Sequence, residues 1–139
     1  MKIRTFHESD ESRVVDLWTE VFGYSTAHND PLRVIRRKLA VQRELFFVAE
    51  DDDRIVGTVM GGYDGHRGWI YSLAVDPRFR RRGIGRALMA HVEQALAGLG
   101  CEKVNLQVFA SNAATAAFYL KLGYAVEERI SMGKLLESE

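Results

Sequence analysis

Arg80-Arg81-Arg82-Gly83-Ile84-Gly85-Arg86-Ala87-Leu88 is the stretch that organises the rest of the chain. It follows an apolar run, 69–75, that reads as a strand and is closed by Asp76-Pro77. It also opens a helix. Ile84, Leu88, Val92, Ala95, Leu96 and Leu99 recur at helical spacing, and Gly100 ends the series. Beyond Gly100, Val104, Leu106 and Val108 alternate with Asn105, Gln107 and Phe109, which predicts a second strand over 103–109. Two strands joined through a helix of this length form a parallel crossover, because a short turn cannot lay parallel strands side by side.

The flanking segments extend that unit. Residues 2–6 alternate as a first strand. Ser9 or Asp10 can cap a helix carrying Val14, Leu17, Trp18, Val21 and Phe22 on one stripe. Asp30-Pro31 reads as the start of a second helix, which Leu32, Ile35 and Leu39 continue while Arg33, Arg36, Arg37 and Lys38 cover its other faces. Strands at 45–49 and 55–62 flank the turn at Asp51-Asp52-Asp53 and read as a hairpin. Gly57, Gly61 and Gly62 in the second of these point to a bulge or a close approach of another backbone. After the crossover, 112–122 reads as a short helix ended by Gly123, and 124–130 and 131–136 read as two last strands. The order β-α-α-β-β-β-α-β-α-β-β predicts an α/β (α+β) fold. Its sheet is mixed and mostly antiparallel around one central parallel βαβ unit, with helices on both faces.

A chain of 139 residues without linker or repeat predicts one domain, 1–139. Lys plus Arg and Asp plus Glu both total 19, so a general affinity for nucleic acid is not expected and any anion site must be a local cluster. The single cysteine, Cys101, favours a reducing compartment. No apolar signal core opens the chain and no run reaches the length of a membrane span, so the expected location is the cytoplasm, with no membrane partner. Four histidines and one cysteine show no metal-ligand spacing.

The quoted stretch is built for a phosphate. Unpaired N–H groups at a helix start attract anions, and the helix dipole adds to that pull. Gly83 and Gly85 remove side chains from the path of a diphosphate. Five arginines lie between Pro77 and Arg86, and no acid occurs between Asp76 and Glu93. Other phosphate loops fit poorly. The Lys-Ser/Thr pair of a Walker loop is missing, and Leu88 stands where a dinucleotide fingerprint wants its third glycine.

Arg80-x-x-Gly83-x-Gly85 resembles the acetyl-CoA signature of the GNAT N-acetyltransferases. Leu73-Ala74-Val75-Asp76-Pro77 and the block from Asn112 through Phe118-Tyr119 to Gly123-Tyr124 resemble that family's flanking motifs, in the same order and spacing. Residues 57–69 further resemble the bacterial YpeA subgroup. The resemblance implies the GNAT acyl-CoA N-acyltransferase fold and acetyl-CoA as cosubstrate. It places the diphosphate on Arg81, Arg82, Gly83, Ile84, Gly85 and Arg86, with Arg80 opening the signature. It places the pantetheine arm beside Leu73, Ala74 and Val75, where the sheet splays from the strand at 103–109. It brings Asn112 to the cofactor and Tyr119 to the thioester sulfur. A tyrosine hydroxyl can protonate a leaving thiolate, which makes Tyr119 the catalytic candidate. Taken alone, Tyr119 would be a packed aromatic and Asn112 a helix cap.

One departure bears on the acceptor. A related branch, which acetylates ribosomal N-terminal alanine, carries a glutamate base five residues before the asparagine. Here that position is Gln107, whose amide cannot take the proton. Deprotonating a lysine amine at pH 7 costs about 4.6 kcal/mol, whereas an α-amine costs about 1.1 kcal/mol. The expected acceptor is therefore a primary amine of low pKa, on a small molecule or peptide, or else water relays the proton to Asp64 or His66. Trp18, Tyr24, Tyr63, Trp69 and Tyr71 are the aromatic candidates for the acceptor pocket. Tyr71 is expected on the cofactor face with Leu73 and Val75, and His7 and His28 at the surface. A second reading is a non-catalytic acetyl-CoA sensor or complex subunit with the same fold. Either a monomer or a homodimer suits the sequence.

Overall fold

Asp52 and Asp53 both adopt positive φ, 48° and 65°, which is the backbone that a two-residue hairpin turn demands. They join β2 (Phe46–Asp51) to β3 (Arg54–Tyr63), and Asp51 pairs with Arg54 across the turn. The computed structural model describes residues 1–23 and 30–136. Tyr24 and His28 lie outside the described residues. The chain forms two compact units, Met1–Gln107 and Val108–Glu139.

The first unit holds a five-stranded sheet in the order β1-β2-β3-β4-β5, with β1 at Lys2–Thr5, β4 at Gly68–Val75 and β5 at Val104–Asn105. The first four strands run antiparallel, and β4 and β5 are parallel. Helix α3 (Ile84–Gly98) makes the crossover between these two. Helices α1 (Glu11–Phe22) and α2 (Pro31–Leu39) come earlier in the chain. Asp30 caps α2 by accepting from Arg33 N–H, with Pro31 in the first turn, as its sequence demands. Asp10 does not cap α1. Its carboxylate is buried and committed to Arg4, Arg13 and the His7 N–H.

The strand β3 shows why there is a helix on each face. A side chain on Gly57 would strike Leu88 and Ile84 of α3, whereas the next residue, Thr58, bonds Trp18 of α1. Neighbouring residues on a strand point to opposite faces, so α1 and α3 cover opposite sides. Phe6, Val14, Trp18, Ile35, Phe46 and Met60 belong to the α1–α2 core, where Phe6 and Phe46 stack at 4.4 Å. On the other face Leu88, Met89, Val92 and Leu96 are buried along α3. Gly57, Gly61 and Gly68 let α3 sit close: a Cβ on each would come within 2.8 Å of Leu88, 2.7 Å of Val92 and 3.2 Å of Leu96 respectively, and one on Gly68 would also meet Cys101, just past the helix, at 2.8 Å. Cys101 is therefore a packing residue.

Strand β4 is bulged. Met60 pairs with Tyr71 and Thr58 with Ala74, so three steps on β4 oppose two on β3, and Ser72 takes φ 53°. The bulge reverses the facing of the strand. Tyr71 sits opposite Met60 on the α1 face, and Val75 sits opposite Gly57 on the α3 face. The expected common face for Tyr71, Leu73 and Val75 is thus corrected, because the extra residue breaks the period of two.

The second unit contains α4 (Ala113–Lys121), N-capped by Asn112, whose side chain accepts from Thr115 N–H. Two expected features differ from the sequence reading. The strand expected at 103–109 is confined to Val104–Asn105, and residues 124–136 carry no strand. Alternation selects a face to bury, but a strand also needs a backbone to pair with. Val126 and Ile130 are 84% and 89% exposed.

Candidate functional site

The α3 N-terminus is open. Gly83 is its N-cap at φ 76° and offers no side-chain cap, and the first helical bond runs from Ala87 N–H to the Gly83 carbonyl. The N–H groups of Ile84, Gly85 and Arg86 therefore precede the helical ladder. No atom lies within 4 Å of where a Gly83 side chain would stand, so the approach is unobstructed. The Ile84 side chain is buried against Gly57, which leaves only its backbone for a ligand. Arg81 takes φ 65°, a left-handed conformation that costs an arginine about 1 kcal/mol and turns the chain into the helix.

The arginines divide by role. Arg78 closes a fork on Asp76 through Nε and Nη2, each at 2.9 Å, and reaches Glu20 at 3.5 Å. Arg78 and its own N–H hold the Asp76 carboxyl below the usual carboxylate range, against the opposing effect of burial. Asp76 N–H donates to the Val56 carbonyl, so this cluster fixes the exit of β4. Arg78 is structural. Arg80, Arg81, Arg82 and Arg86 are exposed, and Arg82 lies 4.8 Å from the centroid of the Phe79 ring.

Just before the loop, the β4 bulge leaves Ser72 and Leu73 without a register partner in β3. It is held from the α1 side: Trp18 Nε1 donates to Thr58 Oγ1 at 2.8 Å, and Thr58 Oγ1 donates to the Ser72 carbonyl at 2.9 Å. Ala74 packs into the α1–α2 core, while Leu73 and Val75 are half-buried. The parallel pairing of β4 and β5 is confined to Gly68–Val104 and Trp69–Asn105, so residues 70–75 of β4 have no partner in β5. Loop, bulge and the unpaired end of β4 all belong to the first unit.

In the second unit, Tyr119 is 8% exposed, and its ring meets Phe118 and Tyr124 edge-on at 5.1 and 5.7 Å. Burial pushes its hydroxyl up to about 12, so it stays protonated at neutral pH. Asn112 is spent in part on its capping bond. Gln107 closes the first unit and is exposed.

The proposed relay residues have local employment. Asp64 Oδ1 accepts from Arg67 N–H at 2.7 Å and from His66 N–H at 2.8 Å. Those two donors keep its carboxyl below the usual range, which makes it a weak base. The Asp64–His66 segment is an exposed turn. Trp18 and Tyr63 are also engaged, Trp18 with Thr58 and Tyr63 through its backbone with Gln42. Tyr71, 54% exposed in mid-strand, is the aromatic that remains open on the α1 face of the bulge. Among the described residues, no three His, Cys, Asp or Glu side chains gather to hold a metal, and no helix is long and apolar enough to cross a membrane.

Sequence reasoning missed the Ser72 bulge and its Trp18–Thr58 support. A serine at positive φ carries no compositional signal. Asp76-Pro77 marks the strand end but not the arginine fork that secures it.

The chain matches the acetyltransferase (GNAT) family over residues 11–124. It is 46% identical over 136 residues to an acetyltransferase of Yersinia enterocolitica, covering 98% of this chain and 96% of that protein. Among solved structures it is similar to Ard1 from Thermoplasma volcanium, with a TM-score of 0.78 and 28% identity, over 91% of this chain and 83% of that one. It shares its fold with AAC(6')-Iy in complex with the bisubstrate analogue CoA-S-monomethyl-acetylneamine, with a TM-score of 0.80 and 18% identity over 97% of both chains. The chain belongs to the GNAT acetyltransferase family. It is an acetyltransferase, and membership implies acetyl-CoA as the acetyl donor.

Proposed function

We propose that residues 1–139 act as one N-acetyltransferase domain that passes the acetyl group of acetyl-CoA to a primary amine by direct attack. The observation that carries this reading is the open, uncapped start of α3 immediately after a bulged strand. The family match from 11 to 124 spans both compact units, which supports a single domain. The bisubstrate complex of AAC(6')-Iy, a protein of the same fold, supports the donor.

The residues present fit the donor. A diphosphate would lie on the backbone of Arg81, Arg82, Gly83, Ile84, Gly85 and Arg86, with Arg80 beside it, because the amides there are uncapped and Gly83 is unobstructed. The arm would lie along Leu73, Ala74 and Val75, beyond the residues of β4 that pair with β5. Asn112 completes the donor contacts by family resemblance. Acetyl-CoA supplies the activated acyl group as a thioester. The bulge at Ser72–Leu73 offers backbone N–H to charge developing on the acyl oxygen. By family resemblance Tyr119, whose hydroxyl is protonated at neutral pH, would give a proton to the departing sulfur.

No strong base is assigned. Gln107 cannot serve as one, and Asp64 is committed to its turn. The acceptor is therefore an amine of low pKa, on a small molecule or a peptide, that reaches the site already neutral. The same lack of a base supports the second reading, a silent acetyl-CoA sensor or complex subunit. The single cysteine supports the cytoplasm as the place of action.

Calorimetric titration with acetyl-CoA tests the proposal, with Gly85→Glu as the control. Micromolar binding by the wild type that is lost in the variant is the expected result, and a screen of amines for turnover then separates enzyme from sensor. A wild type that does not bind acetyl-CoA would remove the proposal.

A further inference from the structure

Two arginines share one aromatic ring beside the diphosphate loop. The Arg82 guanidinium carbon lies 4.8 Å from the Phe79 ring centroid, and that of Arg54 lies 5.4 Å from it. Their separation can therefore be at most about 10 Å, within the screening length at physiological salt or close to it. Both are exposed. Among the described residues neither makes a salt bridge or a side-chain hydrogen bond. The carboxylate that senses Arg54, Asp76, is already held through both oxygens by Arg78. Two like charges thus stand together on Phe79 with their donors unspent.

The position follows from the topology. Arg54 opens β3, and Gly57 of that strand pairs with Val75 at the end of β4. The start of β3 and the loop after β4 therefore lie at the same end of the sheet. Arg54 comes from one element and Arg82 from the other, and Phe79, in the short turn Pro77–Phe79, joins them. Stacking restricts both guanidinium groups before any ligand arrives, which lowers the entropy cost of binding. The arrangement suits a compact dianion that accepts several N–H donors, a phosphomonoester above all.

Coenzyme A carries two separate anionic groups: the diphosphate bridge and a monoester at the ribose 3′ position. Backbone amides at the α3 start serve the first. We propose that Arg54 and Arg82, stacked on Phe79, form the seat of the second, the 3′-phosphate, and so make the protein selective for coenzyme A over its 3′-dephospho form. This inference rests on the donor reading above and deepens it.

The test is calorimetric titration of coenzyme A and of 3′-dephospho-coenzyme A into wild type, Arg54→Gln and Arg82→Gln, at one ionic strength. The wild type is expected to bind coenzyme A about tenfold tighter than the dephospho form, as loss of charge-assisted contacts implies. Both variants are expected to lose most of that preference, and Arg54→Gln, which lies outside the diphosphate loop, to bind the dephospho form as the wild type does, to within about twofold. Retained dephospho binding also shows that the variant is folded. Equal wild-type affinity for both ligands would overturn the seat and leave the donor reading standing. So would variants that keep the preference, or that weaken both ligands alike, since the latter would put the pair on the diphosphate. Failure of the wild type to bind either ligand would instead overturn the donor reading, and the seat with it.

Discussion

Trp18 and Ser72 are linked through a single hydroxyl. The indole N–H of Trp18 donates to Thr58 Oγ1 at 2.8 Å, and that hydroxyl donates onward to the Ser72 carbonyl at 2.9 Å. Trp18 and Thr58 are both fully buried, so the relay crosses from α1 through β3 to the bulge of β4 without water. It explains how a serine keeps φ 53° in mid-sheet. Thr58→Val preserves shape but leaves the Trp18 N–H and the Ser72 carbonyl unpaired. The expected loss is about 2–6 kcal/mol of stability, from two orphaned groups at about 1–3 kcal/mol each. Urea unfolding of the variant measures it, and a loss under about 0.5 kcal/mol would mean that the relay is not needed.

Gly57 and Gly62 stand on the same strand but meet different neighbours. A methyl on Gly57 would lie 2.8 Å from Leu88 Cδ1 and 3.1 Å from both Ile84 Cγ2 and the Ala74 carbonyl, whereas one on Gly62 meets only Gln42 Oε1 at 3.8 Å. Gly57→Ala is expected to cost about 1–3 kcal/mol by overpacking. Because Ile84 and Leu88 begin α3, the same change should also weaken acetyl-CoA binding. Gly62→Ala should be near neutral in both. Thermal melts and one titration per variant suffice, and equal behaviour of the two variants would contradict the close packing of α3 on β3.

These two cases mark what the sequence discloses. The glycines of β3 announced a close approach, and the α3 periodicity announced what approaches, because both are side-chain patterns along one element. The loop from Arg80 to Arg86 was legible for the same reason: glycines, arginines and a helix start stand together in the chain. The bulge was not legible. It depends on Thr58 meeting Ser72 across fourteen positions, and without it Tyr71 was expected on the wrong face. Nor was the commitment of Arg78 to Asp76, since five neighbouring arginines look alike until one finds a buried acid. The strands expected at 124–130 and 131–136 show the complementary limit, that alternation does not provide a pairing partner.

Asp10 gives the fold an acid-sensitive point. It is fully buried, and its oxygens accept from Arg4 at 2.8 and 2.9 Å, from Arg13 at 2.7 Å and from the His7 N–H at 2.8 Å. Burial works to raise its pKa, but the Arg4 hydrogen bonds, the His7 N–H and the charges of Arg4 and Arg13 outweigh it and hold the value below normal. A depressed folded value contributes stability above the unfolded pKa of about 3.9 and loses it as pH falls below that through the folded value. Wild-type stability should therefore fall more steeply than that of Asp10→Asn as pH drops from about 5 toward 3. Parallel pH curves for the two proteins would remove Asp10 as the cause.

Tyr119 makes the opposite prediction, at high pH. Burial raises its hydroxyl to about 12, so the folded state favours the neutral phenol. The stability this provides is complete below the unfolded value of about 10 and fades as pH rises through 10 toward 12. Ultraviolet titration of wild type minus Tyr119→Phe should show no phenolate from this residue below pH about 11, where ordinary tyrosines have already ionised. A difference signal centred near 10 would place the hydroxyl in water. If Tyr119 is the proton donor, the same variant should turn over about 10²-fold more slowly with an amine substrate while binding acetyl-CoA as the wild type does, because a general acid acts on the transition state rather than on the bound donor. Equal loss of binding and turnover would make Tyr119 a packing residue, and the role of acid would pass to another group.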